Sequence, residues 1–178
     1  VVLPPELREN IRTISGNLQM SPAVFFYAAF GLVVGRCSSK DYALFGSIFL
    51  GRLQGSKGSE SSLGLFMNTL PVLLDLTGDA SAYIARTNEH LQKLIDFEQT
   101  PLSEVQDWSG ISNDVPMFST LLNYRHSRKE VSSDETFDIG AEFVATGSRN
   151  NFPFNFDVDD LGDDFVLTAK ISDIGIDP

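Results

Sequence analysis

The chain has 178 residues, of which 42% are hydrophobic and 21% charged, a length and composition that suit one globular domain with a substantial core. Its formal net charge of -11 argues against a nucleic-acid or anionic-membrane partner, because both are bound through clustered Lys and Arg. The single cysteine, Cys37, excludes an intrachain disulfide, and its apolar neighbourhood predicts a buried structural thiol.

The ends and apolar runs of the sequence bear on its compartment. The opening residues VVLPPELREN lack the basic start and apolar centre of a signal peptide. The apolar run 22–35 is shorter than the roughly 20 residues of a membrane helix. We therefore expect a cytoplasmic protein and, because Met is not the first residue, a piece of a longer polypeptide.

The first half of the chain predicts two helices followed by two strands. Apolar residues at helical spacing predict an amphipathic helix over 4–16. A second helix over 22–37 is apolar on nearly every side, so we expect it to be buried on most faces. A β-branched and aromatic run predicts a strand at Tyr42–Leu50, and a Gly- and Ser-rich loop over 51–62 leads to another at Leu63–Leu76.

The second half predicts two helices and then four strands. Asp79 can cap a helix over 80 to about 97, and Thr100-Pro101 begins a short helix that reaches about Trp108. The predicted strands are Phe118–Arg125, Phe137–Thr146, Phe152–Asp159 and Phe165–Ser172, with Gly-Asp turns that favour an antiparallel pair. The order predicts an α/β fold, a mixed β-sheet with helices packed on it.

Histidines are the first candidates for chemistry, because the sequence lacks the HEXXH, CxxC, GxSxG and GxGxxG signatures. His90 falls on a mostly polar helix face, and we interpret it as a solvated surface residue. His126 follows a predicted strand, where it could serve as a general base. A hydrogen-bonded histidine at a strand end is the favoured interpretation, because no motif sets a nucleophile beside it.

Two further patterns invite a ligand but fit poorly. The run Asp157–Asp164 gathers five carboxylates around Gly162 but lacks the closing Glu of a calcium loop, so we interpret it as an acidic hairpin turn. A phosphate-binding loop must open a helix, whereas Lys57-Gly58 lies between two predicted strands. We expect neither metal nor nucleotide binding.

Arg52 and Asn68 remain as site candidates. Arg52, at the end of a strand, can bind a carboxylate or the carbonyls that pin the following loop. Asn68 and Pro71 interrupt an apolar strand, and a buried amide needs hydrogen-bond partners. Asn68 therefore either locks the backbone or faces a substrate, and residue types alone favour the structural role for both side chains.

The order of these features resembles the C-terminal half of the condensation domains of nonribosomal peptide synthetases. The segments that carry the resemblance are SPAVFFYAAFGLVVGRCSSKDYALFGSIFLGR, LGLFMNTLPVLLDL, DFEQTPLSEVQDWSG, PMFSTLLNYRHS and NNFPFNFDVDDLGDDFVL. LGLFMNTLP is the most specific of them. The resemblance extends from about Leu3 to Asp173, nearly the whole chain.

The resemblance implies a fold and a reaction. Condensation domains have a chloramphenicol-acetyltransferase-like fold of two lobes, and they join a carrier-bound aminoacyl or peptidyl thioester to the amine of an aminoacyl group on a second carrier. The phosphopantetheine arms of the carriers enter a tunnel between the lobes. The catalytic motif HHxxxDG belongs to the N-terminal lobe and is absent from this sequence. Residues 1–178 then correspond to the C-terminal lobe alone, with no catalytic residue, directly bound cofactor or metal, and we expect the isolated lobe to be inactive.

The resemblance also implies site residues and partners. The loop 51–62 would form part of the tunnel floor through Gly51, Gly55 and Gly58, and a segment between Ser127 and Asn150 would cross to the other lobe. Arg52, Asn68 and Thr69 would lie near the substrate channel. Partners would be the N-terminal lobe, carrier proteins and an adjacent adenylation domain.

Other activities stay open at this point. Epimerisation, cyclisation, ester formation and acyl transfer to a small molecule use related folds, and a non-catalytic docking or scaffold lobe is a further alternative. A lobe without its partner would expose an apolar interface, which predicts dimerisation or low solubility.

Overall fold

A computed structural model describes residues 1–50, 66–112, 114–126 and 152–172. This part of the chain forms four helices and five strands. They are α1 (Pro5–Leu18), α2 (Ala23–Ser38), β1 (Tyr42–Phe49), β2 (Asn68–Asp75), α3 (Ala80–Ile95), α4 (Leu102–Ser109), β3 (Thr120–His126), β4 (Phe154–Asp160) and β5 (Phe165–Ile171). The predicted strand Phe137–Thr146 and the loop 51–62 lie outside the described residues.

The described strands form one mixed sheet in the order β2-β1-β3-β4-β5, which confirms the predicted fold class. β1, β3 and β4 run parallel, and the outer strands β2 and β5 are antiparallel to their neighbours. The first residues extend the sheet beyond β5. The Leu3 amide donates to the Phe165 carbonyl at 3.0 Å and the Leu167 amide to the Val1 carbonyl at 2.7 Å.

Pro71 shows why β2 is an outer strand. Pro71 lies opposite Gly46 of β1 within an unbroken ladder that runs from Asn68 to Asp75. A proline has no N–H to donate, so it is tolerated where that position faces away from the neighbouring strand. Pro71 therefore does not interrupt the strand, because β2 is an edge strand of the described sheet.

Helices cover one face of the sheet, which we call the covered face; we call the opposite face the second face. The centre of the covered face is formed by fully buried side chains from all five strands: Phe45, Val72, Leu122, Val158 and Phe165. Phe30 of α2 meets Phe45 edge to face with ring centroids 5.0 Å apart, and Phe26 lies 4.9 Å from Phe165. The core is thus largely aromatic, and α2 contributes most of its helical side.

Small residues let α2 approach its neighbours closely. A Cβ atom added at Gly31 would lie 2.7 Å from the Tyr83 hydroxyl, and one added at Gly35 would overlap the Leu76 side chain. The outer side of α2 is less buried than its composition predicts, since Val33 is 58% exposed. Among the described helices, no single one is long and apolar enough to cross a membrane. α1 and α2 reach the required length and hydropathy only when they are taken together, and the chain bends by 112° between them.

The structure corrects two predictions about single residues. Cys37 is exposed, because it lies in the last turn of α2, one residue before the helix ends at Ser38. His90 is partly buried, and its Nε2 atom is fully buried and has no hydrogen-bond partner among the described residues. The reason is its spacing of three residues from Thr87, which is 1% exposed and occupies the same helix face.

Candidate functional site

Asn68, the first residue of β2, ties the sheet to the turn between α3 and α4. Its side-chain Nδ2 donates to the carbonyls of Glu98 at 3.0 Å and Thr100 at 2.6 Å. Its Oδ1 accepts from the Thr69 amide at 2.9 Å. An amide side chain has two donor hydrogens and one acceptor oxygen. Both hydrogens and one lone pair of Asn68 are therefore engaged with backbone.

Thr69 points to the other side of the sheet. Asn68 shares strand parity with buried Leu70 and Val72 and lies toward the covered face, whereas Thr69, opposite Ile48, lies on the second face, because consecutive side chains alternate along a strand. The two neighbouring candidates are thus separated by the sheet. A channel along the second face would reach Thr69 and leave Asn68 behind it.

Polar side chains concentrate on the second face of β3, β4 and β5. Asn123 donates from Nδ2 to Asp157 Oδ1 at 3.0 Å, and Lys170 Nζ lies 2.7 Å from Asp157 Oδ2. Asp157 is only 5% exposed, so its charge is compensated within the sheet, as a buried carboxylate requires. The strands on both sides of β4, β3 and β5, therefore each contribute a partner for the Asp157 carboxylate.

Arg125 and Asp159 form the outer pair of this row. Arg125 Nε and Nη2 donate to the two oxygens of Asp159 at 2.6 and 2.9 Å, a bidentate geometry. Hydrogen bonding to Asp159 raises the pKa of Arg125, with desolvation opposing it. The pair is about half exposed on the arginine side, so it offers a fixed, charge-paired surface to any molecule that lies against it.

Among the described side chains, the Asp160 carboxylate has the most polar partners, and it lies on the covered face. Its carboxylate accepts from Arg12 of α1, from the Tyr124 hydroxyl at 2.6 Å and from the Gly162 amide at 3.0 Å. Asp160 is 2% exposed. Burial opposes ionisation, but these donors outweigh it and hold the pKa of Asp160 well below its ordinary value.

His126 joins the same carboxylate. Its Nδ1 lies 3.1 Å from Asp160 Oδ2 at the end of β3, which confirms the interpretation of a hydrogen-bonded histidine at a strand end. The predicted hairpin turn is confirmed for the end of the run Asp157–Asp164, since Gly162 adopts a φ of +85° between β4 and β5, whereas the first four residues of the run belong to β4. The acidic run is nevertheless not a uniform surface, because it contains the buried Asp160.

Sequence reasoning missed Asp157 and Asp160 as individuals. The available signal was strand parity: Asp160 is two residues from Val158 and therefore shares the core side of β4. The partners Arg12 and Tyr124 could not be identified, because they lie 148 and 36 residues away along the chain. Of the other predicted site residues, Arg52, Gly51, Gly55 and Gly58 lie outside the described residues.

Comparison with known proteins places this fold in a family. The family model of the condensation domain matches residues 1–172. Malpibaldin synthetase of Mortierella alpina is 33% identical over 172 residues, which cover 96% of this chain and 3% of the synthetase. Malpinin synthetase of the same organism is also 33% identical over 172 residues, 96% of this chain and 2% of that protein. The chain thus spans a small fraction of these relatives.

Solved structures show the same fold. The condensation domain from Monacolin K polyketide synthase MokA matches with a TM-score of 0.79 and 19% identity, over 97% of this chain and 41% of its own. The epimerization domain from the third module of tyrocidine synthetase B matches with a TM-score of 0.62 and 17% identity, over 95% of this chain and 40% of its own.

Proposed function

Because the chain belongs to the condensation-domain family, we propose that residues 1–178 form the C-terminal lobe of such a domain, within an enzyme that makes amide bonds in nonribosomal peptide synthesis. The observation that carries this proposal is the coverage of the MokA condensation domain, which matches nearly all of this chain but only 41% of its own length. The remaining part of the reaction chamber would come from a second lobe.

The chemistry of amide formation requires a contribution from that second lobe. The amine attacks the thioester carbonyl, a C–N bond forms, the C–S bond breaks, and the proton lost by the amine must be accepted while the thiol leaves. The two histidines of this chain, His90 and His126, are not adjacent, so the HHxxxDG motif would be supplied by the N-terminal lobe. This lobe would position the reactants.

The second face of the sheet suits that positioning role. It presents Thr69 at one side and Asn123 and Arg125 at the other, and the last two are held by Asp157 and Asp159. Side chains held by neighbours lose little freedom when a ligand binds. In this arrangement Thr69 faces the channel directly. Asn68 acts as a positioning residue, because it holds the α3–α4 turn against the sheet from behind.

Exposed apolar side chains support a partner lobe. Leu50, directly after β1, is 60% exposed, Met67, directly before β2, is 57% exposed, and Trp108 of α4 is 70% exposed. Contiguous apolar patches at a surface mark interfaces, and Leu50 and Met67 are neighbours because Phe49 pairs with Asn68. The other proposed partners are carrier proteins, whose phosphopantetheine arms would deliver the thioesters, and an adjacent adenylation domain.

A reconstituted reaction tests the proposal. The parent synthetase is supplied with a donor carrier bearing an acyl thioester and an acceptor carrier bearing an aminoacyl thioester, and intact-protein mass spectrometry follows the acceptor. We expect a mass increase equal to the donor acyl group, dependent on both loaded carriers. Inversion at the α-carbon without a mass increase would favour epimerisation, an ester product would favour ester formation, and no thioester-dependent product would favour a scaffold lobe.

A further inference from the structure

A cleft of about 630 Å³ lies at the end of the sheet opposite Asn68. Tyr42, Thr120 and Phe154 line it, and these are the first residues of β1, β3 and β4. Because the three strands are parallel, their amino ends meet at one edge. Asn68 pairs with Phe49 at the far end of β1, about 23 Å away at 3.3 Å per residue.

Aromatic rings form the walls of this cleft. Phe30 and Phe154 lie nearly parallel, with centroids 6.2 Å apart and an interplanar angle of 8°. Phe118 also lines the cleft, and its ring is stacked on that of Phe152 with centroids 5.3 Å apart. Phe30 and Phe118 are each 6% exposed, so both rings are held in place and the cleft is preformed.

Polar groups of the described lining lie at the rim of the cleft. Lys40 is the one ionised side chain among the described residues that line it, and it forms no ion pair within the described chain. Tyr42, Ser119 and Thr120 also line the cleft, and Tyr42 and Ser119 are exposed. An ammonium group without such a pair beside an aromatic cleft is notable in a chain with 24 acidic and 13 basic residues, where carboxylate partners are abundant.

We propose that this cleft binds a small molecule that carries an aromatic ring and a carboxylate. Ligand sites are typically clefts of ~300–1,000 Å³ with apolar walls and a few polar groups that orient the ligand. The partly exposed ring of Phe154 would contact the aromatic ring, with the edges of Phe30 and Phe118 completing the apolar wall, and Lys40 would pair with the carboxylate. A second cleft of about 480 Å³ lies between α1, α2 and the sheet; the described residues that line it are all apolar, so none of them would orient a ligand.

Cys37 provides a direct measure of occupancy. It lines the cleft, is exposed, and is the only cysteine of the chain, so its alkylation by N-ethylmaleimide, followed by mass spectrometry of the proteolytic peptide that contains Cys37, reports access to the cleft. With 2-naphthoate as the probe, we expect saturable protection of Cys37, with half-protection below about 1 mM, the affinity range of a single well-placed small ligand.

Charge variants separate binding from general adhesion. Lys40→Met should weaken protection by 2-naphthoate up to about fivefold, the upper end of what an exposed ion pair contributes, and should leave protection by neutral 2-naphthamide within about 1.5-fold. Lys93→Met, an exposed lysine of α3 outside the cleft, is the matched control and should bind like the parent protein.

Filling the cleft gives an independent test. Ser119 is exposed at the rim, so Ser119→Trp should fold normally and abolish protection by both probes. The proposal is overturned if Cys37 in the parent protein shows no saturable protection up to the solubility limit of 2-naphthoate. It is overturned equally if Lys40→Met and Lys93→Met bind the probe alike. It does not depend on the proposed function, since neither carriers nor a second lobe takes part in the measurement.

Discussion

Asn68→Ala is expected to cost stability before it costs chemistry. The substitution removes two donors to the carbonyls of Glu98 and Thr100 and one acceptor for the Thr69 amide. Each lost hydrogen bond is worth about 1 kcal/mol, and water can reach part of this corner, so we expect a loss of ~2 kcal/mol. For a domain of this size that corresponds to a decrease in Tm of about 4–8 °C.

The matched variant is Thr69→Val, which keeps the shape of the neighbouring side chain but removes its hydroxyl from the second face. We expect its unfolding free energy to change by less than about 0.5 kcal/mol. Both variants are measured by urea denaturation and by product formation in the parent synthetase. If Asn68→Ala melts like the parent protein and still loses turnover more than tenfold, Asn68 contacts substrate and the positioning role is wrong.

Three other perturbations test the packing and electrostatics. Asp160→Asn should lower the unfolding free energy by ~3 kcal/mol, because Arg12 loses its buried partner. The pKa of Asp160 is lowered in the folded state, so its contribution to the free energy of unfolding is present above the unfolded pKa of about 3.9 and is lost as the pH falls toward the folded pKa. Below about pH 4 the variant should therefore lose less stability than the parent protein. The same dependence of the unfolding free energy on pH in both proteins, measured by urea denaturation, would contradict this. Burial, with a smaller effect of Lys93, lowers the pKa of His90, so the free energy of unfolding should fall as the pH drops through about 6.5. His90→Gln should reduce this dependence on pH. An unchanged dependence would mean that another group causes it. Gly46→Ala places a Cβ into the Phe118 ring and should cost ~1–3 kcal/mol, to be checked by Tm, with a neutral result showing that Phe118 can move.

Local signals in the sequence predicted the helices well. The predicted helix over 22–37 is observed at Ala23–Ser38, and the one over 80–97 at Ala80–Ile95, where Asp79 Oδ1 accepts from the Ala82 amide as predicted for an N-cap. Capping residues and apolar spacing act within one or two turns, so they can be read directly.

Strand neighbours could not be read in the same way. Alternation along a strand predicts which residues share a face, but it does not specify which strand lies beside which. The parallel pairing of β3 with β4 joins Tyr124 to Val158, and only this pairing brings His126 and Tyr124 to Asp160. The difference between a hairpin carboxylate in solvent and a buried, fully bonded one therefore depends on tertiary structure.

Two polar tethers hold the sheet from the covered face. Asn68 ties the start of β2 to the α3–α4 turn, and Asp160 ties the end of β4 to α1 through Arg12. Both act on the helical side, so the second face is not needed to attach the helices to the sheet. Its side chains pair with one another along the strands, as Asp157 does with Asn123 and Lys170. A surface whose groups are fixed by their own neighbours can be lined by a second lobe or a substrate without loss of the fold. Substitutions of the accessible side chains of the second face, such as Thr69 and Arg125, should therefore affect function more than stability, and substitutions at the tethers should do the reverse.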